Sequence, residues 1–271
     1  MNAKTILVTG ATDGIGKQTA IELARQSAKV LVHGRDKTKG ARVLDEINRD
    51  NCNEILILYL ADFSSFADIK RMAEEIKHEQ SELHVLINNA GTFSKKRLLT
   101  KDGLEMTFAV NHLAPFLLTM LLLDLLKASA PARIVNVASG AHRNISAVDF
   151  DNLQGENLYD GFEAYGLSKL GNVLFTNELA RRLAGSDVST NSLHPGVINT
   201  GLQRISYNLD GESVEEGART SVYLATSPEV EGVTGKYYSR MAEKPTSDLA
   251  QDKTLQEKFW KVSEELLAGY L

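Results

Sequence analysis

Tyr165 and Lys169 stand four residues apart in Ala164-Tyr165-Gly166-Leu167-Ser168-Lys169-Leu170, a spacing that puts both side chains on one face of a helix. A free phenol, with a pKa of about 10, is a weak base near neutrality. An ammonium beside it stabilises the phenolate, which makes the pair a candidate general acid and base. Alone, this spacing is an ordinary amphipathic pair. Three other features give it chemical meaning. Ser139 follows the apolar run Ile134-Val135-Asn136-Val137-Ala138, so its hydroxyl falls at the carboxyl end of a strand, where it can hydrogen-bond a substrate oxygen. Asn111 interrupts a long apolar helical stretch, a position that disfavours asparagine. Gly10, Gly14 and Gly16 in Thr9-Gly10-Ala11-Thr12-Asp13-Gly14-Ile15-Gly16 form a G-x-x-x-G-x-G turn after the first apolar run. Such a turn brings backbone close to a pyrophosphate, and the helix starting near Gly14 offers free N–H groups and its positive end.

These residues need elements to position them. Short apolar runs at 5–8, 30–32, 55–59, 85–87, 134–137 and 188–193, and one near Tyr237, predict strands. Between and after them, helical patterns cover residues 15–26, 41–47, 69–78, 104–126 (disturbed near Pro115), 165–183 and 214–225. Ser65 with Asp68 has the spacing of a capping box. Strands without polar alternation, separated by helices, indicate a parallel sheet covered on both faces. The pattern predicts one α/β domain over residues 1–271, a Rossmann fold with a doubly wound, mostly parallel sheet of about seven strands in the order 3-2-1-4-5-6-7. The irregular segments 140–164 and 199–211 follow strands, where this architecture places its ligands. A final amphipathic helix at about 254–267, containing Trp260, packs on the domain or on a neighbour.

Composition narrows the function classes. The chain has 271 residues, 43% hydrophobic and 24% charged, with a net charge of −5, which gives no reason to expect nucleic acid or an anionic membrane surface as partner. Cys52 is the single cysteine, so no internal disulfide can form, and no histidine pair has metal-ligand spacing. The apolar stretch 113–126 contains Pro115 and Asp124 and is too short to span a bilayer. With no signal-like N-terminus, the expectation is a soluble, cytoplasmic protein without a metal site.

The turn, Asn88-Asn89-Ala90-Gly91, Asn111, Ser139, Tyr165-x-x-x-Lys169 and His194-Pro195-Gly196 together resemble the short-chain dehydrogenase/reductase family over nearly the whole chain. Within it, the sequence looks most like the retinol dehydrogenase-like reductases, through Asp149-Phe150-Asp151-Asn152-Leu153 and Gly232-Val233-Thr234-Gly235-Lys236-Tyr237 among other segments. The resemblance implies a nicotinamide coenzyme held by Gly10, Thr12, Asp13, Gly14, Ile15 and Gly16. It also implies Asp62 and Phe63 at the adenine, Asn89, Ala90 and Gly91 along the cleft, and Pro195, Gly196, Val197 and Thr200 toward the nicotinamide or phosphates. Tyr165 and Lys169 would contact the coenzyme as well as act in catalysis, and Asn111 would support Lys169 through a water relay.

Coenzyme choice rests on the end of the second strand, where NAD users carry a carboxylate. Gly34 occupies that position and Arg35 follows, a guanidinium suited to a 2′-phosphate, which favours NADP(H). Asp36 and Asp13 keep NAD(H) open, with Lys17 or Lys39 as compensating cations. Between Ser139 and Tyr165 lies an insert longer than is usual in the family, with Phe150, Leu153, Leu158, Tyr159 and Phe162; with Ile205 and Tyr207 of a substrate loop at about 199–211, it is expected to form an apolar pocket and lid. The expected activity is exchange of hydride and proton with a hydrophobic aldehyde, ketone or alcohol of retinoid, steroid or xenobiotic type. A non-catalytic NADP(H)-binding redox sensor or interaction protein is the alternative. The apolar faces of the long helix and of the Tyr165 helix leave open a homodimer, a homotetramer or plain core.

Overall fold

The computed structural model describes residues 4–51, 56–201 and 211–271. The expectations placed on Cys52, Ile55, Ile205 and Tyr207 lie outside the described residues. Strands and helices alternate as β1 (Thr5–Val8), α1 (Gly14–Arg25), β2 (Lys29–Gly34), α2 (Lys37–Asn51), β3 (Leu56–Leu60), α3 (Phe66–Glu79) and β4 (Val85–Asn88). The second half continues with α4 (Met106–Ala128), β5 (Ala132–Val137), α5 (Gly161–Arg182), β6 (Val188–His194), α6 (Val214–Thr226), β7 (Tyr237–Ser239), β8 (Ala242–Glu243) and α7 (Lys253–Leu266). The sheet runs β3-β2-β1-β4-β5-β6-β7-β8. The first seven strands are parallel and β8 returns antiparallel along β7.

That eighth strand extends the expected sheet. Its hairpin turn places Arg240 and Met241 at φ 52° and 59°. Hairpin turns of this hand usually carry Gly, Asn or Asp, so these residues hid the turn in the sequence.

Each central strand is apolar on both faces because helices cover both. Leu7, Leu31, Leu86 and Ile134 belong to the core on one side of the sheet. Ile6, Val8, Val30, Val32, Ile87 and Val135 belong to the core on the other. Strand order reverses at β1, between β2 and β4, and the carboxyl ends there open the crevice in which α/β sheets bind ligands.

Helix α4 departs from expectation at one place. Residues Ala109–Leu113 form a π-helical turn with Asn111 at its centre, and Ala114 N–H bonds back to the Ala109 carbonyl. The irregularity therefore precedes Pro115, which sits at the start of a regular α segment. Lacking an N–H, Pro115 removes the donor that the Asn111 carbonyl would have in a continuous α-helix, which favours the wider turn just before it. Although α4 is long and apolar enough to cross a membrane, it is mostly buried in this fold.

Helix α7 packs on its own chain. Trp260 lies against Phe116 and Phe175, with the Arg182 guanidinium over its indole ring. The Ser65–Asp68 spacing caps α3 in one direction only. Ser65 Oγ accepts from Asp68 N–H, but the Asp68 carboxylate turns to Asp62 N–H.

Helix α1 ends with Ser27 at φ 62°, where Ser27 N–H bonds to the Ala24 carbonyl and Ala28 N–H to the Leu23 carbonyl. This is the paired closure that glycine ordinarily makes. Exposed Ser27 bears the left-handed cost of a side chain there. Ser27→Gly is expected to stabilise the protein by about 1 kcal/mol in urea unfolding; unchanged or lower stability contradicts the assignment.

Candidate active site

The glycine turn is built by close packing. Gly10 adopts φ 63°, and a Cβ there would lie 2.9 Å from Ala90 Cα. A Cβ at Gly16 would lie 2.3 Å from both Asn89 Nδ2 and the Gly10 carbonyl oxygen. No side chain fits in either place, so the first turn of α1 rests directly on the end of β4. Hydrogen bonds fix the arrangement. Thr9 Oγ1 donates to the Ile87 carbonyl and accepts from the N–H groups of Asn89 and Ala90. Asn89 Nδ2 donates to the Thr9 carbonyl at 2.7 Å. Asp13 caps α1 by accepting from Gly14 N–H, the first donor of a helix whose positive end faces the crevice.

From this turn a cleft of about 610 Å³ runs across the carboxyl ends of the strands. Its walls include Gly10, Thr12, Asp13, Gly14, Ile15, Gly16, Arg35, Asp62, Phe63, Asn89, Ala90, Gly91, Tyr165, Lys169, Pro195 and Thr200. The cleft thus gathers most of the residues expected to hold a coenzyme. It also contains His33, Thr92, Phe93, Met106 and Val110, none of which belongs to a motif. A polar side chain closing the apolar run Val30-Leu31-Val32 was a usable signal for His33. Thr92 and Phe93 come from a loop without a local pattern, and Met106 and Val110 fall in the expected helix 104–126 without a motif to mark them.

Gly196 and Val197 do not line the cleft. Gly196 turns at φ 103° beside Glu212, and half-exposed Val197 bonds through its carbonyl to Glu212 N–H. The backbone leaving β6 swings outward after Pro195, which takes these two residues away.

Helix α5 carries Tyr165 and Lys169 on one buried face, and Asp160 caps its start by accepting from Phe162 and Glu163 N–H groups. The helix begins earlier than the residue pattern suggested, so Tyr165 sits in a formed turn rather than at a fraying end. Lys169 Nζ donates to the Val137 carbonyl at 2.9 Å and lies 5.6 Å from the Tyr165 ring centre. Burial pushes the Lys169 ammonium down to about 8 from its usual 10.5. Tyr165 also packs edge-on against Phe93, which leans on Phe162.

Asn111 is fully buried, and its side-chain amide is held by protein groups. Its Oδ1 accepts from Thr92 N–H at 2.7 Å, and Nδ2 donates to the Thr92 carbonyl and to Ser168 Oγ, each at 3.0 Å. Ser168 in turn donates to the Tyr165 carbonyl. Asn111 therefore ties the loop after β4 to the turn of α5 between Tyr165 and Lys169. A Cβ at Gly91 would stand 3.4 Å from Asn111 Oδ1 and 3.7 Å from Lys169 Nζ, so glycine leaves open the space that both groups face.

Ser139 follows Val137 and Ala138, which border the cleft. It stands at the end of β5, where its Oγ accepts from Ala141 N–H and caps the short helix Gly140–Asn144. That helix abuts α5 at Gly166, where a Cβ would lie 3.1 Å from the Ala141 carbonyl oxygen.

The insert before α5 divides its side chains. Leu153 is core, and Phe150 packs on Phe259 under the Lys258 ammonium, away from the cleft. Leu153, Leu158 and Tyr159 border a separate small cavity of about 40 Å³. Tyr159 donates to the Ser94 carbonyl, which braces the insert against the loop after β4. Phe162 approaches Tyr165 through Phe93, whereas the 3-10 turn Phe150–Asn152 directs the earlier aromatic toward α7.

The short chain dehydrogenase family matches residues 4–208. Human retinol dehydrogenase 14 is 40% identical, with 98% of this chain and 87% of that protein covered. Mouse retinol dehydrogenase 12 is 43% identical, with 97% and 86% covered. Among solved structures, an uncharacterized protein from Mycobacterium paratuberculosis is 31% identical with a TM-score of 0.80, covering 98% of this chain and 93% of that one. The RhlG/NADP active-site complex from Pseudomonas aeruginosa is 26% identical with a TM-score of 0.71, covering 87% and 94%. With the fold, the turn and the Tyr–Lys helix in place, these likenesses have one consequence: the chain belongs to the short-chain dehydrogenase family, within its retinol dehydrogenase-like group.

Proposed function

We propose that the chain is an NADP(H)-dependent oxidoreductase acting on hydrophobic aldehydes, ketones or the corresponding alcohols, with Tyr165 as general acid and base. The observation that carries this reading is the opening of one cleft onto both the glycine turn and the buried Tyr165–Lys169 face. A nicotinamide coenzyme bound there supplies the hydride for carbonyl reduction or accepts it in alcohol oxidation.

The residues present fit that coenzyme. Gly10 and Gly16 leave room for backbone to approach a pyrophosphate, and the start of α1 points at it. Several observations support the 2′-phosphate form. A Cβ at Gly34 would lie 2.3 Å from Thr12 Cγ2, so an acidic side chain like that of NAD users would have to displace Thr12. Asp36, the alternative acid, is engaged as the cap of α2, accepting from Lys39 N–H at 3.0 Å. Lys17 pairs with Glu46, whereas Arg35 and Lys39 both border the cleft. The guanidinium and the ammonium make a cationic corner for a phosphate. The RhlG structure with NADP is consistent with this choice.

On the chemical side, Tyr165 passes its proton to the substrate oxygen during reduction and takes it back during oxidation. The Lys169 ammonium lowers the cost of the phenolate. The Ser139 hydroxyl, oriented by its bond from Ala141 N–H, donates to the same oxygen. Asn111 acts by position, holding Thr92 and Ser168 so that the Tyr165 turn stays in register. Phe93, Met106 and Val110 give the reacting end an apolar wall, which suits substrates like those named for the retinol dehydrogenases.

A panel of apolar aldehydes and ketones with NADPH or NADH, followed by coenzyme absorbance, tests this reading. The expected result is turnover with a Michaelis constant lower for NADPH by at least about tenfold, and loss of turnover in Tyr165→Phe by about a thousandfold with coenzyme binding kept. Clear preference for NADH overturns the coenzyme assignment. Coenzyme binding without turnover on any carbonyl overturns the enzymatic one.

Burial of Lys169 has a consequence for stability. Its folded pKa of about 8 lies below the ordinary 10.5, so between these values the unfolded chain holds a proton that the folded chain has released. Stability of the coenzyme-free parent should therefore rise with pH across that window. Lys169→Met is expected to be the more stable protein below pH 8, with its advantage shrinking between pH 8 and 10.5. A difference in urea unfolding that stays constant across the window contradicts an uncompensated buried ammonium.

A further inference from the structure

His33, the penultimate residue of β2, is 3% exposed and lines the cleft beneath the glycine turn. Its Nδ1 accepts from Gly10 N–H at 3.1 Å, and its Nε2 lies 3.1 Å from the Ala61 carbonyl oxygen. A carbonyl can only accept, so Nε2 carries the proton and Nδ1 is bare. The ring stacks on Phe63 with centres 4.2 Å apart and planes 19° from parallel. One side chain therefore joins the turn after β1, the end of β2 and the segment after β3.

We propose that His33 is a positioning residue for the coenzyme, holding the Gly10 turn in its phosphate-accepting shape by taking up the Gly10 N–H from behind. This rests on the reading of the cleft as the nicotinamide coenzyme site. The turn is gripped from two sides. Asn89 of the β4 end pulls on the Thr9 carbonyl, and His33 of β2 takes the next N–H along the chain. Without His33, the Gly10 N–H faces the strand ends with no acceptor, and the turn must rotate to satisfy it. Rotation at Gly10 moves the N–H groups at the start of α1 that a pyrophosphate would bind. The Ala61 bond and the Phe63 stack hold the imidazole in the tautomer that accepts. Burial keeps it neutral, with its pKa pushed down to about 4, so the acceptor persists at physiological pH.

Three variants separate this role from simple packing. His33→Leu removes both bonds; His33→Asn keeps an acceptor near the place of Nδ1; His33→Gln keeps a donor near the place of Nε2. The measurements are the NADPH dissociation constant from coenzyme fluorescence, melting of the coenzyme-free protein, and kcat at saturating coenzyme. Leu and Gln are expected to bind NADPH about tenfold more weakly, with kcat within about twofold of the parent, and Asn to bind within about threefold of it. If His33→Leu does not fold, the contrast between Asn and Gln decides. Equal weakening in Asn and Gln overturns the proposal, as does a folded Leu variant with parental affinity. A parent protein that binds neither NADPH nor NADH overturns instead the coenzyme reading on which it rests.

Discussion

The site depends on a backbone-to-backbone contact, the packing of the Gly10 turn and the start of α1 against the end of β4. The space left for a Cβ at Gly10 or Gly16 is under 3 Å from backbone or a locked amide. Any side chain there forces the helix off the sheet. This contact aims the free N–H groups of α1 across the reversal in strand order, where β2 and β4 lie on opposite sides of β1. Thr9, Asn89 and His33 then hold the turn by directed hydrogen bonds. The groups that line the crevice come from the strand ends, the loops that follow them and adjoining helices, α5 among them.

The second half of the fold brings the reacting groups to that crevice. Helix α5 crosses the sheet with Tyr165 and Lys169 inward, and the π turn of α4 places Asn111 where its amide can reach both Thr92 and Ser168. A regular α-helix would rotate Asn111 relative to the residues before it, so the irregular turn and the asparagine belong together. The support continues outward. His112, next to Asn111, meets Ser263 of α7 at 2.8 Å, and its ring packs on Phe259 of the same helix. The C-terminal helix thus backs the helix turn that organises Thr92 and Ser168. It also covers part of the apolar α4 and α5 surface.

Features with a local cause were legible in the sequence. The glycine turn, the apolar parallel strands and the four-residue spacing of Tyr165 and Lys169 depend on short-range geometry that residue order specifies directly. Features depending on three-dimensional convergence were less so. Pro115 marked a disturbance in α4, but hydrogen-bond bookkeeping put the π turn before it, at Asn111. Phe150 reads as pocket lining, yet it turns outward toward Phe259; Phe93 of a loop and Met106 and Val110 of the long helix, with no motif to mark them, take the wall instead. Gly196 and Val197 sit in a familiar motif, but the chain borders the cleft at Pro195 and again at Thr200. His33 is legible as a polar residue after an apolar run, but its use shows only with Gly10 and Ala61 on either side of its ring.

The central claim is that this cleft holds NADPH beside Tyr165 for reduction of an apolar carbonyl. Isotope transfer tests it most directly. NADPH labelled with deuterium at C4 on one face of the nicotinamide is incubated with the protein and an aliphatic or aromatic aldehyde, and the alcohol is analysed by mass spectrometry and NMR. The account predicts deuterium on the carbinol carbon from one labelled face and none from the other, because a coenzyme fixed in the cleft presents a single face to the Tyr165 side. Alcohol labelled equally from both faces, or no alcohol from a protein that binds NADPH, contradicts it.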